Sequence, residues 1–427
     1  MGGMEPNEKG LSRRGFFKTA VAIGGASALS ACLGRETVDV PQGGGEVPER
    51  QHAWNDFLRT DDHGNFLPPR HHVLLLLDYT GEAVENDRPT VEDAFVSLET
   101  AYEWSNEGLL FTVGYSPYYF DRFDGTLSLP LPEPEPMASF ENPELDNVDT
   151  VVHLASDHAS VVLEAEETLL GERGRANGVE LDADLTESFE RVERRTGFVG
   201  EGLPAEHQDA DGVPDDEPVP EDSPLYMGFE SGFKENQATE DDVTIEEGAF
   251  AGGTTQHASH LHLDLEQWYG QDSRYQRVSK MFCPAHAEED RVEGVGENLG
   301  SSSGVGGCPV PTESARGDAA TVGHAQKAKE QREDGRPPIL RRDFDSTDPG
   351  RFDAADGERA GVHFVSLQDR IEEFVRVREA MNADDVVEES AVGRKNNNGI
   401  LQYITAESRG NYLVPPRSLR ALPPASP

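Results

Sequence analysis

The chain has 427 residues, 81 of them Asp or Glu against 37 Lys or Arg, a formal charge of -44 at pH 7. A 36% hydrophobic share still permits a sizeable core, which argues against wholesale disorder, and so acidic a chain argues against nucleic acid as a partner. The acid is spread along the whole sequence, as expected of a surface that stays hydrated in strong brine, where salt screens self-repulsion.

Ser12-Arg13-Arg14-Gly15-Phe16-Phe17-Lys18, followed by the short apolar run from Thr19 to Ser30, reads as a twin-arginine export signal. The run is too short and too rich in Gly and Ala for a membrane span. Leu29-Ser30-Ala31-Cys32 resembles a lipobox, so residues 1–31 are expected to be a leader. Cys32 is expected to be a lipid anchor outside the cytoplasm. Residues 32–68, rich in Gly, Pro and Glu, read as a disordered tether.

The apolar run from His72 to Leu77 predicts a buried strand. Val91, Phe95, Leu98 and Tyr102 share a helix face behind Thr90, a candidate N-cap. Strands follow at Leu109–Val113 and Thr150–Leu154. Val161, Val162, Ala165 and Leu169 mark a second helix, and a weaker strand spans Val192–Val199. The order β-α-β-β-α-β is ferredoxin-like and assigns residues 69–200 to a first domain. Residues 201–245 read as an acidic linker together with a glycine loop. The pattern returns over 246–420. Leu261, Leu263 and Leu265 alternate with His260, His262 and Asp264, and a helix covers Ser273–Phe282. A Gly/Ser-rich insertion spans Gly294–Gly307, and strands are expected at Ile339–Phe344 and Val362–Leu367. Ile371, Phe374, Val375 and Met381 share a helix face, and Tyr412–Val414 closes the chain. The expected fold class is α+β, two ferredoxin-like halves in one chain.

With Cys32 assigned to lipid, Cys283 and Cys308 remain as a pair that is either disulfide-bonded or two thiols; no CxxC or zinc-knuckle spacing is present. His257, His260 and His262 have a metal-like look, but strand alternation points His257 away from the other two. The window from Ala320 to Arg342 holds Lys327, Lys329, Arg332, Arg336, Arg341 and Arg342 against three acidic residues, with His324 inside it. A basic island in so acidic a chain suits an anionic ligand held by charge and an imidazole.

Gly323-His324-Ala325-Gln326-Lys327-Ala328, Ile339-Leu340-Arg341-Arg342 and the segment from Gly361 to Phe374 occur in that order. Together with Gly228-Phe229-Glu230-Ser231-Gly232, Gly252-Gly253 and the segment from Gly410 to Pro416, they resemble the dye-decolourising haem peroxidase family over roughly residues 70–420. That resemblance implies two ferredoxin-like halves of the dimeric α/β-barrel type. It implies haem b with His324 as the iron ligand and Arg341 as the distal cation, with Arg342 the alternative in register or a partner for the haem carboxylates. It places Gly228 and Gly232 in the haem-binding loop and brings His260 near a haem carboxylate. Ser231 stands where the family carries an Asp, and Glu230 is the neighbouring carboxylate able to take its role. The expected partners are a peroxide and an organic reductant, with a homo-oligomer left open. The expected activity is peroxide-dependent oxidation; the alternatives are a non-enzymatic haem carrier or sensor, and a haem-free binding module.

Overall fold

In the first strand, Val73, Leu75 and Leu77 pack outward while Leu74 and Leu76 pack inward, which is why the sequence shows an unbroken apolar run. The computed structural model describes residues 39–81, 84–123, 127–317, 320–349 and 359–427. The twin-arginine segment, the apolar run and Cys32 lie outside them. Among the described residues no helix is long and apolar enough to cross a membrane.

The first half comprises β1 (His71–Tyr79), α1 (Val84–Ala101), β2 (Leu110–Tyr115), β3 (Thr150–Ser156), α2 (Ala159–Leu169) and β4 (Phe189–Phe198). Its antiparallel strands lie in the order β4-β1-β3-β2, the ferredoxin-like arrangement. Val91, Ala94, Phe95, Leu98 and Ala101 form the buried face of α1. That helix starts at Val84, ahead of the expected cap, so Thr90 lies inside it. Glu85 and Asp87 in the first turn suit the helix's positive end.

The second half repeats the plan. It comprises β5 (Thr254–Leu263), α3 (Leu265–Gly270), α4 (Arg274–Met281), α5 (Pro284–Glu288), α6 (His324–Lys329), β6 (Leu340–Arg341), β7 (Phe344–Ser346), β8 (Gly361–Gln368), α7 (Ile371–Asn382) and β9 (Ile404–Val414). The order β9-β5-β8-β7 is again ferredoxin-like. The strand expected over Ile339–Phe344 is split into β6 and β7, both paired to β8.

The halves meet at two seams. Asp345 of β7 pairs with Phe198 of β4, and Leu413 of β9 pairs with Tyr115 of β2, which closes the strands into a barrel. Leu74, Leu76, Val151, Ala258, Phe344, Val365 and Tyr412, from both halves, fill its interior.

Two stretches read as spacers are packed instead. From residue 39 the supposed tether joins the first core through Val40, Trp54 and Leu58. Gln51 Nε2 donates to the carbonyls of Val113 (3.2 Å) and Pro415 (2.8 Å), tying the segment to both halves. The supposed linker buries Leu203, Val213, Val219 and Tyr226 against the second core. Acid and proline dominate both compositions, but a few well-spaced apolar side chains suffice to dock them.

Candidate functional site

The start of α6 is fixed by a close approach. A Cβ on Gly323 would lie 1.8 Å from the Phe282 carbonyl oxygen, so only glycine fits there. Gln326 accepts from Gly323 N–H at 2.9 Å and donates through Nε2 to Pro309 O and Ser314 Oγ, both at 2.7 Å. These bonds set the orientation of His324, the first residue of the helix.

His324 is half-buried, and its open side faces a partly open cavity of about 230 Å³. Neither ring nitrogen makes a hydrogen bond to a described residue. Burial, then the charges of Lys327, Arg341 and Arg378, pushes its pKa down to about 3. At neutral pH the imidazole is therefore uncharged and has a free lone pair, as a metal ligand requires.

The loop from Gly228 to Gly232 supplies the next groups. Phe229 is buried edge-on against Trp268 and Phe282, which anchors the loop, and Glu230 N–H donates to Val295 O at 2.8 Å. Glu230 and Ser231 then both line the cavity. Burial, then Asp61, Glu201 and Glu297, pushes Glu230 up to about 7. Arg341, on β6, reaches the same cavity and donates from Nη2 to Ser231 Oγ at 3.1 Å, with Asp343 at 3.4 Å from Nη1. Its backbone N–H is held by Gln237 Oε1 at 3.0 Å.

The rest of the lining is mostly apolar, with cations and the Glu141 carboxylate. Leu261, Met281, Phe282, Ile339, Phe364, Phe374 and Leu401 give broad nonpolar walls; Lys329, Arg332, Arg378 and Arg409 add positive charge. Arg409 Nη2 pairs with Glu141 Oε2 at 2.9 Å, and Arg378 meets the same carboxylate. Burial opposes the charge on Glu141, but Arg409 and Arg378 outweigh it and hold the carboxyl below its usual range. The lining thus suits a mostly apolar ligand with anionic groups and a centre able to take an imidazole nitrogen.

Of the residues singled out in the sequence, His324, Arg341, Ser231 and Glu230 come together in this cavity. Four others do not line it. Arg342 points to the opposite side from Arg341, as strand neighbours do. It is buried against Glu240 Oε1 (3.0 Å) and Asn55 Oδ1 (2.9 Å), over the Trp54 ring. His260 lies between Ser259 and Leu261, which do line the cavity, and so faces the other way. Its ring sits 4.5 Å from that of His363. Gly228 and Gly232 shape the loop, with φ of 78° and 75°, and a Cβ on Gly228 would strike the Tyr269 hydroxyl at 2.5 Å. His257, His260 and His262 form no three-histidine cluster; among the described residues the one group with metal-ligand spacing is Cys283, His286 and Cys308. Arg378, Arg409 and Glu141 were missed. They are scattered through the sequence, and only the folded chain brings them together.

Residues 69–416 match a family described as a family of unknown function, DUF7405. None of the curated proteins matches the chain. Solved structures do. A dye-decolorizing protein from V. cholerae superposes with a TM-score of 0.53 at 14% identity, over 86% of this chain and 98% of its own. A DyP-type peroxidase from Cellulomonas bogoriensis gives 0.53 at 16%, over 82% and 90%. An encapsulated DyP-type peroxidase from Mycobacterium smegmatis gives 0.52 at 15%, over 84% and 97%. The fold is that of the dye-decolourising peroxidases.

Proposed function

For this chain, which belongs to the DUF7405 family and has the dye-decolourising peroxidase fold, we propose a haem-dependent oxidoreductase that reduces a peroxide at the expense of an organic donor. The observation that carries this reading is the His324 imidazole, neutral and unbonded at the wall of a mostly apolar cavity.

The residues present fit haem b. His324 would hold the iron through its free nitrogen, and Lys329, Arg332 and Arg378 are suited to pair with the carboxylates of the ring. Bound haem supplies the redox-active iron that exchanges electrons with the peroxide. The chain's own groups handle charge and protons. Arg341 stabilises negative charge on the peroxide oxygens, held in place by Ser231, Asp343 and Gln237. Glu230, with a pKa of about 7, accepts a proton from the peroxide and returns it to the departing oxygen. The apolar walls limit the entry of water.

A second reading, a haem carrier or sensor, draws support from two features. Ser231 stands where the family it resembles carries an Asp, and no described carboxylate hydrogen-bonds to His324 to raise its basicity. The twin-arginine segment and Cys32 support export and lipid anchoring, and the charge of -44 supports a salt-rich setting.

Loading the chain with haem in high salt tests the proposal. The expected result is a Soret band that the His324→Ala variant fails to develop, together with peroxide-dependent oxidation of a dye. Haem binding without turnover selects the carrier reading, and no haem binding removes both.

A further inference from the structure

Cys283 and Cys308 form a disulfide, and His286 directs Nδ1 at both sulfurs, 3.2 Å from Cys283 Sγ and 3.4 Å from Cys308 Sγ. The other ring nitrogen, Nε2, lies 3.0 Å from the carbonyl oxygen of Ser303. A carbonyl only accepts, so Nε2 carries the ring proton. With the ring proton on Nε2, Nδ1 of a neutral imidazole presents a lone pair toward the sulfurs. A disulfide has no S–H either. Nδ1 and the two sulfurs therefore meet with no proton among them, and all three side chains are buried. Three lone-pair donors converging in this way are poorly matched to one another and well matched to a thiophilic cation.

We propose that Cys283, His286 and Cys308 form a redox-gated zinc site, assembled when the disulfide is reduced and closed when it re-forms. The ligand atoms already lie within 4.8 Å of one another. Parting the sulfurs to accommodate an ion about 2.3 Å from each requires a shift on the order of 2 Å. Cys308 ends the Gly/Ser-rich segment, which leaves few side chains to repack as it moves. Gly304 belongs to the same design: it brings the backbone over the imidazole, where a Cβ would be 3.2 Å from Nε2. The bond from Nε2 to Ser303 O fixes the ring as an outer partner does for a metal-bound histidine.

A dithiol reductant gives two electrons and two protons to the S–S bond and leaves as its own disulfide. Zinc then displaces the two thiol protons and takes Nδ1 as its third ligand. No other Cys, His, Asp or Glu joins the group among the described residues, so water fills the fourth position. The site adjoins the cavity, since Phe282 lines it and Phe282 O accepts from Gln326 N–H at 3.2 Å on the helix of His324.

The experiment uses the full chain in high salt, reduced with a water-soluble phosphine and freed of loose metal by gel filtration. Cys283→Ser/Cys308→Ser serves as the control for zinc held by surface carboxylates or Cys32. The expected result is one more zinc per chain in the reduced protein than in either the oxidised protein or the control. Cobalt(II) should give thiolate-to-metal charge-transfer absorption, and His286→Ala should weaken zinc binding at least tenfold. Equal zinc in the reduced wild type and the control overturns the proposal. So does cobalt binding without charge transfer, or loss of near-ultraviolet dichroism on reduction, because the site requires the fold.

Discussion

Arg341 Nη2 donates to Ser231 Oγ at 3.1 Å, joining a barrel strand to a loop 110 residues earlier. A hydroxyl accepts this bond without carrying charge, so the guanidinium's positive field is offset only in part, by Asp343 at 3.4 Å from Nη1. Removing it in Arg341→Leu is expected to lower peroxide turnover about 10²–10³-fold while haem absorption persists. Ser231→Asp puts a carboxylate within reach of Arg341 and of the cavity. Steady-state turnover should rise in that variant; an unchanged rate would assign proton transfer to Glu230 alone.

The carboxyl of Glu230 predicts a pH profile. Its pKa of about 7 means that the carboxylate, the form able to accept a proton, grows in as pH rises through neutrality. Turnover should follow with a limb near pH 7, and Glu230→Gln should remove that limb and lower the rate about 10²–10⁴-fold. Stability runs the opposite way. The folded pKa is raised above the unfolded value, so Glu230's contribution is fully present below pH 4 and is lost as pH rises through 7. Relative to wild type, Glu230→Gln should therefore look more stable at pH 8 than at pH 4, which urea midpoints at the two values would check.

Much of the fold was legible in the sequence because each half repeats one pattern, and the runs at His72–Leu77 and Thr150–Leu154 are buried on both faces. Barrel closure was not readable from residue patterns, since each seam rests on a single residue pairing, Asp345 with Phe198 and Leu413 with Tyr115. The site was legible where neighbours in sequence share a cavity, as Glu230 and Ser231 do. It misled where strand alternation separates neighbours, as with Arg341 and Arg342, or His260 and Leu261. The cluster at Cys283 escaped notice because its members are split between a Cys-x-x-His pair and a cysteine 22 residues beyond the histidine.

His324 and Arg342 should separate binding from stability. His324 makes no hydrogen bond that its loss would leave unmatched, so His324→Ala is expected to abolish the Soret band with little change in unfolding midpoint. Arg342 is buried with Glu240, and its removal leaves that carboxylate and Asn55 without their cation. Breaking a buried pair in this way costs about 3–5 kcal/mol. Arg342→Ala should lower the urea midpoint strongly, while the variant that remains folded still binds haem. A lost Soret band in folded Arg342→Ala would return that residue to the cavity.

The charge of -44 sets a dependence on salt that the buried ion pairs cannot mimic. Repulsion among exposed carboxylates acts over a Debye length, about 10 Å at 0.1 M salt and about 3 Å at 1 M. Pairs such as Arg195 with Asp146, 2.7 Å apart and almost wholly buried, are screened far less. Added sodium chloride should therefore relieve the surface while leaving the interior pairs intact, so the thermal midpoint should climb most steeply below about 1 M and flatten above it. A midpoint that does not move between 0.1 and 1 M, on the order of one Debye regime to the next, would mean that the acidic residues are already balanced locally. The brine-adapted reading of the surface would then fail.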